Sequence, residues 1–139
     1  MSVYSTYLTI PPTATELNPA VKTIMVLGNY ITHFEIIFPP GNNHVSRVGI
    51  FYGIKKLYPE NPDEWFFGNA ETLRFDVLDP LPEDITRIRL VGWNYGGRYE
   101  HTIGFRIVTR WEWELRERVW LEGLIKRLDL LLRRIGVVE

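Results

Sequence analysis

The chain has 139 residues, enough for one domain with a real core and too few for two comfortable ones. Its 45% hydrophobic and 24% charged residues exclude a disordered chain, and a formal net charge of −1 leaves no electrostatic footprint for nucleic acid. Cysteine is absent, which excludes disulfides, thiolate chemistry and cysteine-ligated zinc.

Glutamine is absent too and methionine is scarce, a bias shared with heat-adapted, thermostable proteins. Met1 to Ile10 has neither a basic n-region nor an apolar h-region, so no signal peptide is expected. No stretch approaches the roughly 20 apolar residues a membrane span needs, so a soluble protein of undetermined compartment is expected.

Aromatic residues reach 14%, which favours strands. Val3 to Ile10 is β-branched and aromatic and stops at Pro11-Pro12, so residues 1–20 read as a strand or extended arm with a polar linker. Such an arm completes its own sheet or adds to a neighbour's edge. Val21 to Leu27 and Tyr30 to Phe38 follow as strands, with Thr32, Phe34, Ile36 and Phe38 on the better core face of the second. Pro39 to Asn43 marks a turn, and Val45 to Tyr52 is a strand whose sheet Lys55 to Tyr58 continues beyond Gly53. Glu71 to Leu78 alternates, with Leu73, Phe75 and Val77 on its inner side. After Asp79-Pro80-Leu81-Pro82 another strand contains Ile85, Ile88 and Leu90, and Gly96-Gly97 is expected to turn a hairpin into His101 to Val108.

At Thr109 the period becomes helical. Thr109 to Glu112 fits a capping box, and Leu121, Ile125, Leu128, Leu132 and Ile135 follow heptad-like spacing, widened by Trp120, Leu124 and Leu131. Acid-first pairs four residues apart, Glu112–Arg116, Glu114–Arg118, Glu122–Lys126 and Asp129–Arg133, line the other face, and Gly136 is placed to end the helix.

Candidate chemistry is sparse. Ser2, Ser5 and Ser46 lack a nucleophile-elbow context, and His33, His44 and His101 are isolated, although His33 and His101 could meet across a sheet. Asp76, Asp79, Glu83 and Asp84 cluster at a turn without the spacing of a calcium loop, and Gly96-Gly97 lacks the strand-to-helix context of a phosphate loop. No catalytic residue, metal or cofactor is expected. Trp65, Trp93, Tyr95 and Tyr99 are aromatic residues at turns, suited either to stacking on a sugar or partner or to closing the core.

The expected architecture is an all-β sandwich, jelly-roll or Ig-like, of about seven or eight strands over residues 21–108, with a C-terminal amphipathic helix over 109–139. That helix hides its apolar stripe against its own sandwich or against copies of itself, and a homo-oligomer is the favoured outcome, a trimer ahead of a dimer because Leu and Ile mix on the seam. Arm, β body and assembly helix are the parts of a subunit in a larger particle, such as a virion decoration or spike-like protein, or in a surface array. The alternative is a carbohydrate- or receptor-binding module. No nucleic acid and no membrane span are expected.

Overall fold

The computed structural model describes residues 1–134, apart from the side chains of Arg118 and Val119. Ile135 of the helical seam and the expected terminator Gly136 lie outside the described residues. Eight strands precede one helix: β1 (Ser2–Ile10), β2 (Ala20–Leu27), β3 (Tyr30–Phe38), β4 (Ser46–Tyr52), β5 (Lys55–Tyr58), β6 (Glu71–Pro80), β7 (Ile85–Asn94), β8 (His101–Arg110) and α1 (Glu112–Arg134).

The strands form two antiparallel four-stranded sheets, ordered β1-β8-β3-β6 and β2-β7-β4-β5. Successive strands alternate between sheets except β4 and β5, which turn at Gly53 with φ of +60°. This interleaving of two Greek keys is the jelly-roll order, and it sets aside the Ig-like alternative. The expected Gly96-Gly97 hairpin is overturned for the same reason. β7 and β8 belong to opposite sheets, so residues 95–100 cross between layers. Asn94 starts that crossing by donating to the carbonyls of Ile10 and Pro11, at 3.4 and 3.1 Å, in the chain leaving the other sheet.

The two inner faces meet in one core. Ile103, Phe105 and Ile107 of β8 and Val48, Ile50, Ile88 and Leu90 of the facing sheet are all buried. Phe34 stacks on Tyr58 at 4.4 Å and on Phe75 at 4.9 Å, joining the sheets at the β5–β6 side. Phe34, Ile36 and Phe38 face inward as their alternation predicts, but Ile31 joins them in place of Thr32. The ladder shifts register between Ile31 and His33, and such a bulge lets two stretches of one strand present opposite parities to the same core. β1 pairs along its whole length with β8, from Ser2 opposite Thr109 to Ile10 opposite His101, so the N-terminal segment completes its own sheet.

The capping box at Thr109 does not form. Thr109 stays in the β8 ladder, fully buried, and its hydroxyl donates to the Leu27 carbonyl at 2.6 Å. The helix starts three residues later. The Glu114 carboxylate accepts from the Trp111 backbone N–H at 3.2 Å, and Asn29, from the β2–β3 turn, accepts the Glu112 N–H at 2.8 Å. Glu114 also holds the Met1 amine, and this contact keeps its carboxyl below the usual glutamate range, while the expected partner Arg118 has its side chain outside the described residues. The pairs Glu112–Arg116 and Asp129–Arg133 form, at 2.7 and 3.2 Å.

Antiparallel alternation sorts the connections to two ends. The β2–β3, β4–β5 and β6–β7 turns share one end with the root of α1, while the β1–β2, β3–β4, β5–β6 and β7–β8 loops gather at the other. Three of those four loops are tied by a buried polar network. Asn42 donates to Ser46 Oγ at 2.8 Å, Ser46 donates to Asn94 Oδ1 at 2.8 Å, and Asn94 reaches the β1–β2 loop as described. Removing Asn94 leaves the buried Ser46 hydroxyl without its acceptor, which costs about 1–3 kcal/mol. Asn94→Ala is therefore expected to lower stability by about that amount in urea unfolding, and an unaltered midpoint counts against the network.

Candidate aromatic binding surface

The outer face of the β2-β7-β4-β5 sheet carries an aromatic layer whose order follows from strand parity. Arg47, Gly49 and Phe51 of β4 point outward, beside Trp93, Val91 and Arg89 of β7 in direct cross-strand register. In the β5–β6 loop Phe66 bridges to Val48 and turns into the core against Phe75. Its neighbours Trp65 and Phe67 consequently face out.

Gly49 leaves the space that Trp65 occupies, since a Cβ there would stand 3.2 Å from the indole. Trp65 lies 5.8 Å from Phe51 and meets Trp93 edge-on at 6.0 Å, and Trp93 in turn meets Tyr95 at 6.1 Å. Cations sit over these rings: Lys56 at 5.2 Å from Trp65, Arg89 at 5.9 Å from Phe51, and Arg47 at 4.5 Å from Phe67 and 5.9 Å from Tyr95. Burial lowers the Lys56 pKa, against the opposing pull of Asp63, Glu64 and Glu16. Its ammonium donates to the carbonyls of Pro62, at 2.9 Å, and Glu64. The Trp93 indole N–H is buried without an acceptor.

Of the four aromatic residues singled out by sequence, the structure brings Trp65, Trp93 and Tyr95 together. Tyr99 stands apart, exposed, with no ring contact among the described residues. Sequence reasoning missed Arg47, Phe51, Lys56 and Arg89. The signal for Arg47 is its register opposite Trp93, which becomes legible only once β4 and β7 are known to pair.

Backbone bonds hold the loops around this layer. Tyr95 donates to the Val45 carbonyl at 2.7 Å and His44 to the Gly68 carbonyl at 3.3 Å, while Asn69 Oδ1 accepts the Asn43 N–H at 3.0 Å. Asn43 and His44 are successive non-glycine residues in the left-handed region, with φ of 50° and 61°. Such residues persist only where the surroundings hold them, as this lattice of bonds does.

Two other features of the body carry polar side chains. On the outer face of the other sheet, Glu35 accepts from Arg74 at 3.0 Å and Arg106 at 3.4 Å and lies 3.5 Å from His33, which pairs with Asp76 at 2.7 Å. Burial pushes the Glu35 pKa up, but the hydrogen bonds from His33, Arg106 and Arg74 outweigh it and hold the carboxyl below its ordinary range. His33 and His101 do not meet: His33 stands opposite Val108, and His101 opposite Ile10. The second cluster is a cleft of about 740 Å³ near the helix root, floored by Ile31, Leu57, Leu81 and Ile88. Its main polar pair, the Tyr58 hydroxyl and Asp79, satisfies itself, and burial together with that carboxylate raises the Tyr58 pKa. Asp76, Asp79, Glu83 and Asp84 do not converge, and no group of three or more His, Asp or Glu among the described residues could share a metal.

No protein-family model matches the chain, and no curated protein does. Among solved structures it is similar to a de novo designed double-stranded β-helix, at 15% identity and a TM-score of 0.38 over 76% of this chain and 99% of that one. A second is the Yersinia pseudotuberculosis-derived mitogen, at 6% identity and 0.38 over 78% and 86% of the two chains. A third is PirA, at 12% and 0.38 over 78% and 96%. Likenesses at this level say nothing of function.

Two outcomes are expected. Gly49→Val displaces Trp65, costing about 1–3 kcal/mol and altering the tryptophan near-UV circular dichroism; an unchanged spectrum argues against this packing. Glu35→Gln lowers stability at neutral pH, because a carboxyl whose folded pKa is depressed contributes above its unfolded value. The difference from the parent closes as pH falls below the ordinary glutamate value of 4.5, measured by urea titration across pH.

Proposed function

We propose that the chain is a non-enzymatic structural subunit that assembles with copies of itself through α1 and holds its sandwich away from the assembly, in the manner of a virion decoration or spike-like subunit or of a surface-array protein. One observation carries this reading. The apolar stripe of α1, Trp120, Leu121, Leu124, Ile125, Leu128, Leu131 and Leu132, is 38–66% exposed in the single chain, and no described side chain of α1 belongs to the core. The alternative in which the helix lies along its own sandwich is not adopted. β8 delivers the chain to the end of the body, and Asn29 and Met1 fix the first turn there.

A stripe of this size is unfavourable in water. Covering the exposed half of each large side chain gains roughly 1 kcal/mol or more. Across seven residues per copy that sum is of the order of the 4–15 kcal/mol that association costs, so the stripe suits assembly. The 23-residue helix is about 34 Å long by its 1.5 Å rise per residue, enough for a bundle standing clear of the body. A stripe two seams wide suits three strands better than a narrow dimer seam. Catalysis finds little support. The ion cluster around Glu35 lies on an open sheet face, with Asp76 93% exposed, rather than in a cleft that excludes water. No described helix is long and apolar enough to cross a membrane.

The convergence of Trp65, Trp93 and Tyr95 at the loop-bearing end favours a second, compatible reading, in which the sandwich binds a carbohydrate or receptor. The helix and these rings sit toward opposite ends, as a subunit that anchors by one end and presents the other requires.

Light scattering on the full chain is expected to give about three times the 16.4 kDa chain mass. Leu124→Glu with Leu128→Glu is expected to reduce it to one chain while leaving the β signal in far-UV circular dichroism intact. A dimer retains self-assembly and removes the trimer, whereas a single-chain mass at every concentration overturns the reading.

A further inference from the structure

We infer that the surface around Arg47 binds a sugar ring bearing one anionic group, a carboxylate or a sulfate. This rests on the binding reading above and deepens it by naming the ligand class.

Arg47 stands opposite Trp93 in the β4–β7 ladder, and its guanidinium lies between Phe67 and Tyr95. Its one hydrogen bond among the described residues is to the His44 carbonyl, so most of the five N–H donors of a guanidinium remain unused. No carboxylate lies within ion-pair distance of Arg47 among the described residues, nor of Arg89 or Lys56 in the adjoining part of the layer. The Trp93 N–H beside them is buried, so Arg47 rather than the indole presents the donors of this face. Lys56 and Arg89 end on backbone carbonyls, so Arg47 is the cation of this layer that keeps most of its donors, whereas the comparable arginines on the opposite sheet, Arg74 and Arg106, both end on Glu35. A ligand rich in acceptors completes this face, and one carrying a negative charge does so most strongly.

The rings define the rest of the ligand. Phe67 and Tyr95, 48% and 70% exposed, flank the guanidinium and offer apolar faces to the C–H face of a pyranose. The site is also built in advance. His44, whose carbonyl orients Arg47, is bonded to Gly68 beside Phe67 and meets that ring edge-on at 5.7 Å, while Tyr95 is bonded to Val45. Three loops are thereby held in one arrangement before any ligand arrives, which limits the ordering cost of binding. A long polyanion is disfavoured. Asp63 and Glu64 lie in the same β5–β6 connection close to Lys56, and the whole chain carries a net charge of −1, so no continuous basic track exists for phosphates.

The test titrates the full-length protein with lactose, lactose carrying a terminal sialic acid, and galactose 6-sulfate, followed by tryptophan fluorescence and by amide NMR shifts. The two charged sugars are expected to bind at least about tenfold more tightly than lactose, with the response centred on Trp93 and Tyr95. The carboxylate and sulfate arms identify which anion the site prefers. Arg47→Met keeps the aliphatic stem and is expected to weaken the charged sugars on the order of ten- to a hundredfold, the loss typical of a charged hydrogen-bond partner, with little change for lactose. Tyr99→Ala is expected to change neither. Lactose binding as tightly as the charged sugars, with loss on Trp93→Ala, overturns the anionic ligand and leaves the aromatic reading standing. Binding of charged sugars that survives Arg47→Met also overturns it. No response to any of the sugars removes both readings. Selectivity in the parent protein decides the matter even where a variant fails to fold.

Discussion

The ladders on either side of β8 govern the rest of the molecule. β8 pairs with β1 along one edge and with β3 along the other, and its inner residues Ile103, Phe105 and Ile107 lie in the middle of the core. Central strands are hydrogen-bonded on both sides and buried on one face, so they tolerate no slip in register. This pairing recruits the N-terminal segment into the sheet and closes the sandwich. It also carries the chain to Arg110, where strand gives way to helix. The position of α1 is a consequence of where β8 must end.

The same constraint separates the two ends of the molecule. Buried polar groups do most to fix the loop-bearing end, because Asn42, Ser46 and Asn94 satisfy one another only when three loops are assembled. The opposite end is fixed by the contacts of Asn29 with the Arg110 carbonyl, the Glu112 N–H and Asp84. A helix root set so firmly on the body is followed by turns whose apolar stripe stays largely exposed in the single chain, the feature on which the assembly proposal rests. At the other end Arg47 spends one bond on the His44 carbonyl and keeps its remaining donors, and the Trp93 N–H is buried without an acceptor.

Sequence patterning exposed the strands because a half-buried strand must alternate, and Leu73, Phe75 and Val77 do so without exception. It exposed the helix because its apolar residues recur at helical spacing. It failed at Thr109, where the hydroxyl suits a helix cap equally well but is claimed by the Leu27 carbonyl across the sandwich. It failed at Gly96-Gly97 too, since turn chemistry cannot distinguish a hairpin within one sheet from a crossing between two. For the candidate site, the tryptophans stood out by type and position. Arg47 did not, because an arginine in a strand looks ordinary until its neighbours on the adjacent strand are known.

The order of residues alone determined that the chain is β-rich, that it ends in an amphipathic helix, and that cysteine chemistry is excluded, because composition and periodicity are local properties. Tertiary structure alone decided the jelly-roll order, the bulge that turns Ile31 inward, the cap supplied by Asn29 and the gathering of Arg47, Phe67, Trp93 and Tyr95 on one face. Each of these joins residues far apart along the chain. Such contacts depend on which strands become neighbours, and that choice is made by closing one shared core rather than by any single segment.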